Sequence, residues 1–200
     1  MACDPIPTRT ATRADAAAVA GVLARAFVAD PVMAYLFPDA ASRVQRLQRF
    51  YDLIVRAEAD PADWTIAGDD AAATIWRPPG KGSVPTATML RLAWPMLRAF
   101  GSGLPRALRL QALLDVHHPA EPHWYLAFAG CVPEQQGRGF GGAAIRAKLA
   151  AVDAARLPAG LETATETNLG LYGALGFRVT GRFDFAPGQP MWTMWREAVR

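Results

Sequence analysis

The chain has 200 residues, 52% of them hydrophobic and 20% charged, with a formal net charge of +3. That length carries one sizeable core, and the ordinary composition excludes a disordered or fibrous chain. The charge is small and dispersed, which suits an anionic ligand and excludes the basic stripe of a nucleic-acid binder.

Residues 1–8 read as a tail, and Arg9 to Ala11 can begin a strand. Thr12 precedes Asp15 by three positions, as in a capping box with Asp in place of Glu. Val19, Val22, Leu23, Ala26 and Phe27 then recur at helical spacing until Asp30-Pro31 stops the pattern. This apolar run is too short for a membrane span, and its flanking Asp4, Asp15 and Arg25 do not suit a signal peptide. A second amphipathic pattern passes through Val44, Leu47, Phe50, Tyr51, Ile54 and Ala57. Trp64–Ala67 and Ala72–Trp76 read as strands joined by a Gly68-Asp69-Asp70 turn. Residues 86–118 read as two helices broken near Gly101 to Pro105, and Pro95 is expected to kink or split the first.

His123–Val132 is a strand candidate, followed by a helix over Gly139–Arg156 with Ile145, Leu149 and Val152 on one face. Pro158-Ala159-Gly160 reads as a turn into a short strand, Leu161–Thr165. Asn168–Leu175 forms a short helix ended by Gly176, and Phe177–Phe183 with Met191–Arg196 form a closing antiparallel pair. No repeat or linker divides the chain, so one α/β domain with helices covering a central sheet is expected. Cys3 and Cys131 are the only cysteines. They do not suit a structural disulfide, so the chain reads as cytoplasmic.

Between the strand ending at Val132 and the following helix lies Pro133-Glu134-Gln135-Gln136-Gly137-Arg138-Gly139-Phe140-Gly141-Gly142. Glycines let a backbone approach a ligand closely, and a helix N-terminus offers unpaired N–H groups at its positive end. Together they suit a phosphate or pyrophosphate, with Arg138 adding charge at the rim. Gly137, Gly139 and Gly142 also satisfy the dinucleotide pattern G-x-G-x-x-G, with Glu162 twenty residues on as a ribose acid. Against that reading, Pro133 to Gln136 separate the strand from the glycines. Too little chain follows for the rest of a doubly wound sheet.

Gln136 to Gly141 fits Q/R-x-x-G-x-G/A, and in this context the stretch resembles the loop of the GNAT acyltransferase superfamily. Asn168-Leu169-Gly170-Leu171-Tyr172-Gly173-Ala174-Leu175-Gly176-Phe177 resembles that superfamily's second hallmark. Pro190-Met191-Trp192-Thr193-Met194-Trp195 is similar to a segment of the branch that contains puromycin N-acetyltransferase. The resemblance is specific over residues 123–196 and loose before 118.

The resemblance implies a GNAT-like fold, a mostly antiparallel sheet that splays where two neighbouring strands, here 123–132 and 161–165, part. It implies acetyl-CoA in that gap, no metal, and transfer of the acetyl group to a primary amine, most simply of a small molecule. Residues 119–200 would form the acetyl-CoA half, and 9–118 the variable acceptor half. The main chain at Cys131 and Val132 would pair with the pantetheine arm. The amides of Arg138, Gly139, Phe140, Gly141 and Gly142 would hold the pyrophosphate, Gln136 and Gly137 would join them in binding the cofactor, and Asn168 and Tyr172 would meet the pantetheine or thioester. Gly142 stands where many relatives carry a hydroxyl. Monomer and homodimer both stay open.

Acetyl transfer needs a neutral amine, a polarised thioester and a proton donor for the departing thiolate. A free N–H near Cys131 or Val132 can polarise the carbonyl, and the phenol of Tyr172 is a neutral donor at pH 7. For the base, alternation along the strand puts Trp124, Leu126 and Phe128 on one face and His123, Tyr125, Ala127 and Ala129 on the other. That arrangement makes His123 a cleft candidate. Glu162 is the second candidate. His117 and His118 read as helix-end residues, and His117, His118, His123 and Cys131 have no metal-ligand spacing. Two alternatives stay open: a protein acetyltransferase acting on lysines or N-termini, and a non-catalytic acetyl-CoA-binding module.

Overall fold

The computed structural model describes residues 5–58, 60–80 and 86–199. Cys3 and the first half of the expected tail lie outside them. The elements in chain order are β1 (Thr8–Thr10), α1 (Ala16–Ala26), α2 (Pro31–Leu36), α3 (Ala40–Ala57), β2 (Trp64–Ala67) and β3 (Ala72–Arg77). There follow α4 (Thr86–Phe100), α5 (Leu104–His117), β4 (Trp124–Cys131), α6 (Phe140–Ala154), β5 (Ala159–Thr163), α7 (Asn168–Ala174), β6 (Arg178–Ala186) and β7 (Gln189–Arg196).

The Asp15 carboxylate accepts the Thr12 N–H at 2.7 Å and fixes the approach to α1. Asp30-Pro31 both stops α1 and starts α2, a six-residue helix that the apolar pattern does not reveal. The Asp30 carboxylate caps the Met33 N–H at 3.0 Å. Pro31 fits the first helical position, where its missing N–H is no loss. Pro95 neither splits nor ends α4, contrary to expectation. The neighbouring Trp94 is 66% exposed, so α4 is a surface helix where solvent can serve the carbonyl that Pro95 leaves without a donor.

The strands form one seven-stranded sheet in the order β1-β2-β3-β4-β5-β7-β6. All its pairings are antiparallel except β4 with β5. β5 begins at Ala159 rather than Leu161. Pro158 already accepts the Trp124 N–H at 2.9 Å, so the turn falls before Ala159-Gly160. The Thr163 hydroxyl accepts the Thr165 N–H at 3.3 Å and ends the strand early.

Two apolar layers cover the sheet. On one face Leu23, Leu47, Phe50 and Tyr51 of α1 and α3 pack with Phe128. On the other, Ile145, Leu149 and Val152 of α6 pack with Leu126, Leu161 and Tyr172. Leu126 and Phe128 therefore face opposite layers, which corrects the single bulky face expected of β4. Between them the β3–β4 register slips at Ile75/Trp76, leaving Ala127 as the extra residue of a bulge. An inserted residue reverses the side-chain alternation beyond it.

Candidate active site

The sheet opens between β4 and β5. The two strands pair only at Trp124↔Ala159 and Tyr125↔Gly160. Past that point β4 stays paired to β3 as far as Cys131, and β5 stays paired to β7 as far as Thr163. The facing edges of both strands are left free. The Val132 N–H donates to Ala71 O at 2.9 Å and Val132 O accepts from the Gln135 N–H at 2.9 Å. Val132, expected to pair with a ligand, thus already has a partner for its N–H and for its C=O. Alternation from Val132 turns the N–H and C=O of Cys131 and Ala129 into the gap. The Gln136 side-chain amide already reaches the Cys131 carbonyl there, at 3.2 Å.

Beyond Cys131 a short turn, Pro133–Gln135, leads into the glycines. Gly137 and Gly139 take φ of +73° and +89°, left-handed values that L side chains rarely adopt. Gly139 is the N-cap of α6 and brings no side-chain cap. The first N–H groups of the helix, on Phe140, Gly141 and Gly142, therefore receive no oxygen cap from the N-cap residue, and the Gly141 N–H lies against the Cys131 thiol. At Gly141 an added Cβ would meet nothing closer than Cys131 Cβ at 3.9 Å, so the cradle is open on that side. At Gly142 it would press on Arg146 and on Leu171 of α7, at 3.3 and 3.4 Å. The Arg138 guanidinium lies over the Phe140 ring, 5.6 Å from its centroid, and bonds Gln135 Oε1.

α7 carries Asn168 and Tyr172 one turn apart. The Asn168 side chain is half-buried and has no partner among the described residues. Tyr172 is 7% exposed and packs in the α6 layer. Burial, and secondarily the charge of Asp30, pushes its phenol up to about 12. The same carboxylate, after burial, contributes to raising Tyr51 in the α1–α3 layer. Asp30 thus bears electrostatically on one phenol in each layer. Burial also raises its own carboxyl. The sequence gives Asp30 as a helix stop and nothing more.

Glu162 and Tyr125 close the floor of the gap where β5 and β4 still pair. The Tyr125 hydroxyl donates to Glu162 Oε2 at 2.6 Å. Burial raises the Glu162 carboxyl, while Tyr125, His117 and Arg77 pull it down. His117 is a helix-end residue as expected, with Nδ1 at 2.8 Å from Leu113 O, and its ring stacks on Phe183 at 3.9 Å. His123 does not line an open cleft as expected. It is 5% exposed, beneath His118 and Trp195 with ring centroids at 4.8 and 4.9 Å. Among the described residues no three His, Cys, Asp or Glu side chains are grouped to hold a metal, and no helix is long and apolar enough to cross a membrane.

A mixed sheet parted between its one parallel pair of strands, with an uncapped helix N-terminus at the end of the gap, defines the fold of the GNAT acetyltransferases. Solved structures share it from end to end. One is described as histone acetyltransferase HPA2 and related acetyltransferase, from Corynebacterium glutamicum; it is 21% identical, with 98% of each chain covered and a TM-score of 0.67. Another is the polyamine N-acetyltransferase of Drosophila melanogaster, which forms N-acetylagmatine; it is 14% identical over 97% of this chain and 100% of its own, with a TM-score of 0.63. A third, the NatC complex bound to Gag peptide and CoA, is 11% identical over 97% and 99%, with a TM-score of 0.53. No protein-family model matches the chain.

Proposed function

We propose that the protein is an acetyl-CoA-dependent N-acetyltransferase acting on the primary amine of a small molecule. The observation that carries this reading is the parting of β4 from β5 after two residue pairs, with Cys131 turned into the gap and the uncapped start of α6 at its end. An extended pantetheine arm satisfies a free strand edge, and a pyrophosphate satisfies a helix N-terminus. On this reading the amides of Phe140, Gly141 and Gly142 hold the pyrophosphate, while Gln136, Gly137, Arg138 and Gly139 form its loop. Cys131 pairs with the arm, and the gap-facing N–H groups of Ala129 and Cys131 polarise the thioester carbonyl. Asn168 meets the pantetheine. The amine attacks the carbonyl, the C–N bond forms, the C–S bond breaks, and Tyr172 gives its proton to sulfur.

The elevated phenol of Tyr172 suits a donor that must stay protonated. Asp30 and Glu162 are the carboxylates on the acceptor side, able to meet an ammonium. Phe27, Phe128 and Tyr51 wall that side, with ring centroids 5.4 to 6.3 Å apart, and suit an acceptor with an apolar or aromatic part. The closing motif Pro190–Trp195 favours the branch of puromycin N-acetyltransferase. The polyamine enzyme supports a small acceptor, and the peptide-bound NatC complex supports CoA as donor while keeping peptide acceptors in play. Thiol release from acetyl-CoA is measured against arylalkylamines, diamines, and histone-type and N-terminal peptides. Faster turnover of an arylalkylamine than of every peptide is expected; the reverse order overturns the small-molecule acceptor.

A further inference from the structure

On the outer side of α3 an open groove of about 390 Å³ runs against α4. Arg49, Asp52, Leu53 and Arg56 line it from α3, and Pro95 and Arg98 from α4. Positions 49, 52, 53 and 56 fall on one helix face, and 95 and 98 lie one turn apart on the other helix. Phe50 and Tyr51, which pack against Phe128, leave α3 on its opposite side. Leu53 is buried and, with Pro95, gives the groove an apolar floor, while the three arginines are exposed. Two neighbouring arginines of α3 have partners. Arg43 donates to the carbonyls of Val28, Phe37 and Pro38, and Arg46 to that of Ala99. Arg49, Arg56 and Arg98 have no hydrogen-bond or ion-pair partner among the described residues. The carboxylate in the groove, Asp52, accepts from Gln48 Nε2 at 3.1 Å. It pairs with neither Arg49 nor Arg56, although each lies one turn away. No Asp or Glu occurs between positions 71 and 114, so α4 brings nothing to offset Arg98. Three guanidiniums therefore share the groove with one carboxylate.

We propose that this groove is a binding site for a small polyanion, a molecule carrying two or more phosphate or carboxylate groups. The site is separate from the gap between β4 and β5, and the proposal does not depend on the acetyltransferase reading. Arg49 and Arg56 leave α3 two turns apart, about 10 Å along its axis, with Arg98 across the groove. That spacing suits several oxyanions on one molecule better than a single ion. A guanidinium is a planar fork of donors that takes the oxygens of a phosphate or a carboxylate two at a time, and it keeps its charge at every working pH. Leu53 and Pro95 meet the part of the ligand between its charged groups. The groove has the size of a small-molecule site, roughly 300–1,000 Å³, and its floor is recessed between two helices. Both features favour a small ligand over a macromolecule that needs a wide surface. Asp52 repels the ligand and offsets part of the attraction of the arginines, so it weakens the site that they build.

The test titrates tripolyphosphate and citrate into the protein by calorimetry, with sulfate as a control that has one oxyanion group and hexaglutamate as a macromolecular one. One of the two polyanions should bind about tenfold tighter than sulfate or more, and the tighter of them tells phosphate from carboxylate. Arg56→Gln and Arg98→Gln should each weaken that binding by about 3- to 10-fold. Asp52→Asn should strengthen it by about 2- to 5-fold, an effect that a merely structural carboxylate would not produce. All three side chains lie at the groove and not in the core, and thermal melts on the same preparations establish that the variants are folded. Saturating CoA should leave the binding unchanged. Binding that CoA abolishes, or that the arginine variants leave unaltered, places the anion elsewhere on the molecule and overturns the groove. Failure of the wild type to bind either polyanion, or tighter binding of hexaglutamate than of both, overturns the small polyanion. None of these outcomes bears on acetyl transfer.

Discussion

Gly141→Asp separates the phosphate role of the α6 N-terminus from its structural role, because the two demand opposite signs. Gly141 is the second residue of α6, its φ is not left-handed, and an added Cβ there meets nothing outside its own helix turn closer than 3.9 Å. A carboxylate in the first turn of a helix is favourable by about 0.3–1 kcal/mol, so the variant should be as stable as the wild type or more so. A gain of that size raises Tm by up to roughly 4 °C in a chain of this length. The same carboxylate, about 4 Å from a pyrophosphate charge, costs about 4 kcal/mol at the effective dielectric of a protein surface. That corresponds to ~10³-fold weaker acetyl-CoA binding. Calorimetry and thermal melts on one preparation give both numbers, with Gly141→Ala as the uncharged control. Unchanged affinity in the Asp variant refutes the phosphate site. Loss of affinity together with stability shows damage to the fold and refutes the reasoning about the open cradle.

Tyr172→Phe should keep acetyl-CoA affinity and lower kcat by roughly 10²–10⁴-fold, while a tyrosine that only packs would lower Tm and spare the kcat of the folded fraction. With its phenol near 12, Tyr172 is about 1% ionised at pH 10, so the wild-type rate should show no loss of the donor up to that pH. Asp30→Asn removes a negative charge that disfavours phenolate. The Tyr172 phenol should then ionise at lower pH and the alkaline limb of kcat should move down, with KM for a cationic amine raised about tenfold; an unmoved limb and KM would remove Asp30 from the site. Gly68 has φ +62° and a Cβ there would fall 2.6 Å from the Phe140 ring, so Gly68→Ala should cost roughly 1–2 kcal/mol in urea unfolding and also weaken acetyl-CoA by shifting the first residue of α6.

Much of the fold was legible because short-range rules governed it. The Thr12/Asp15 pair, the Ile145–Leu149–Val152 stripe and the glycine-opened helix all act within a few residues of themselves. The parted strands were expected from the resemblance and lie where 123–132 and 159–163 run. The bulge at Ala127 left no mark, since an alanine neither favours nor forbids an extra residue, and without it the alternation of β4 came out reversed beyond Leu126. Its consequence reaches the gap: Phe128 faces the α1–α3 layer and Leu126 does not. Asp30 and Tyr172 are 142 positions apart in the chain, and only the tertiary fold brings their charges into range. His123 was legible as a titratable group at the head of β4, but its burial depends on Trp195 and on the end of α5.

On the function proposed, this chain moves an acetyl group from acetyl-CoA to an amine nitrogen. The direct measurement incubates the purified protein with acetyl-CoA and each amine of the panel, and quantifies free CoA thiol and N-acetylated product from the same samples. Amine-dependent thiol release matched one for one by N-acetylated product is expected. Thiol release that ignores the amine, or no release above the protein-free baseline with any amine tested, would contradict it.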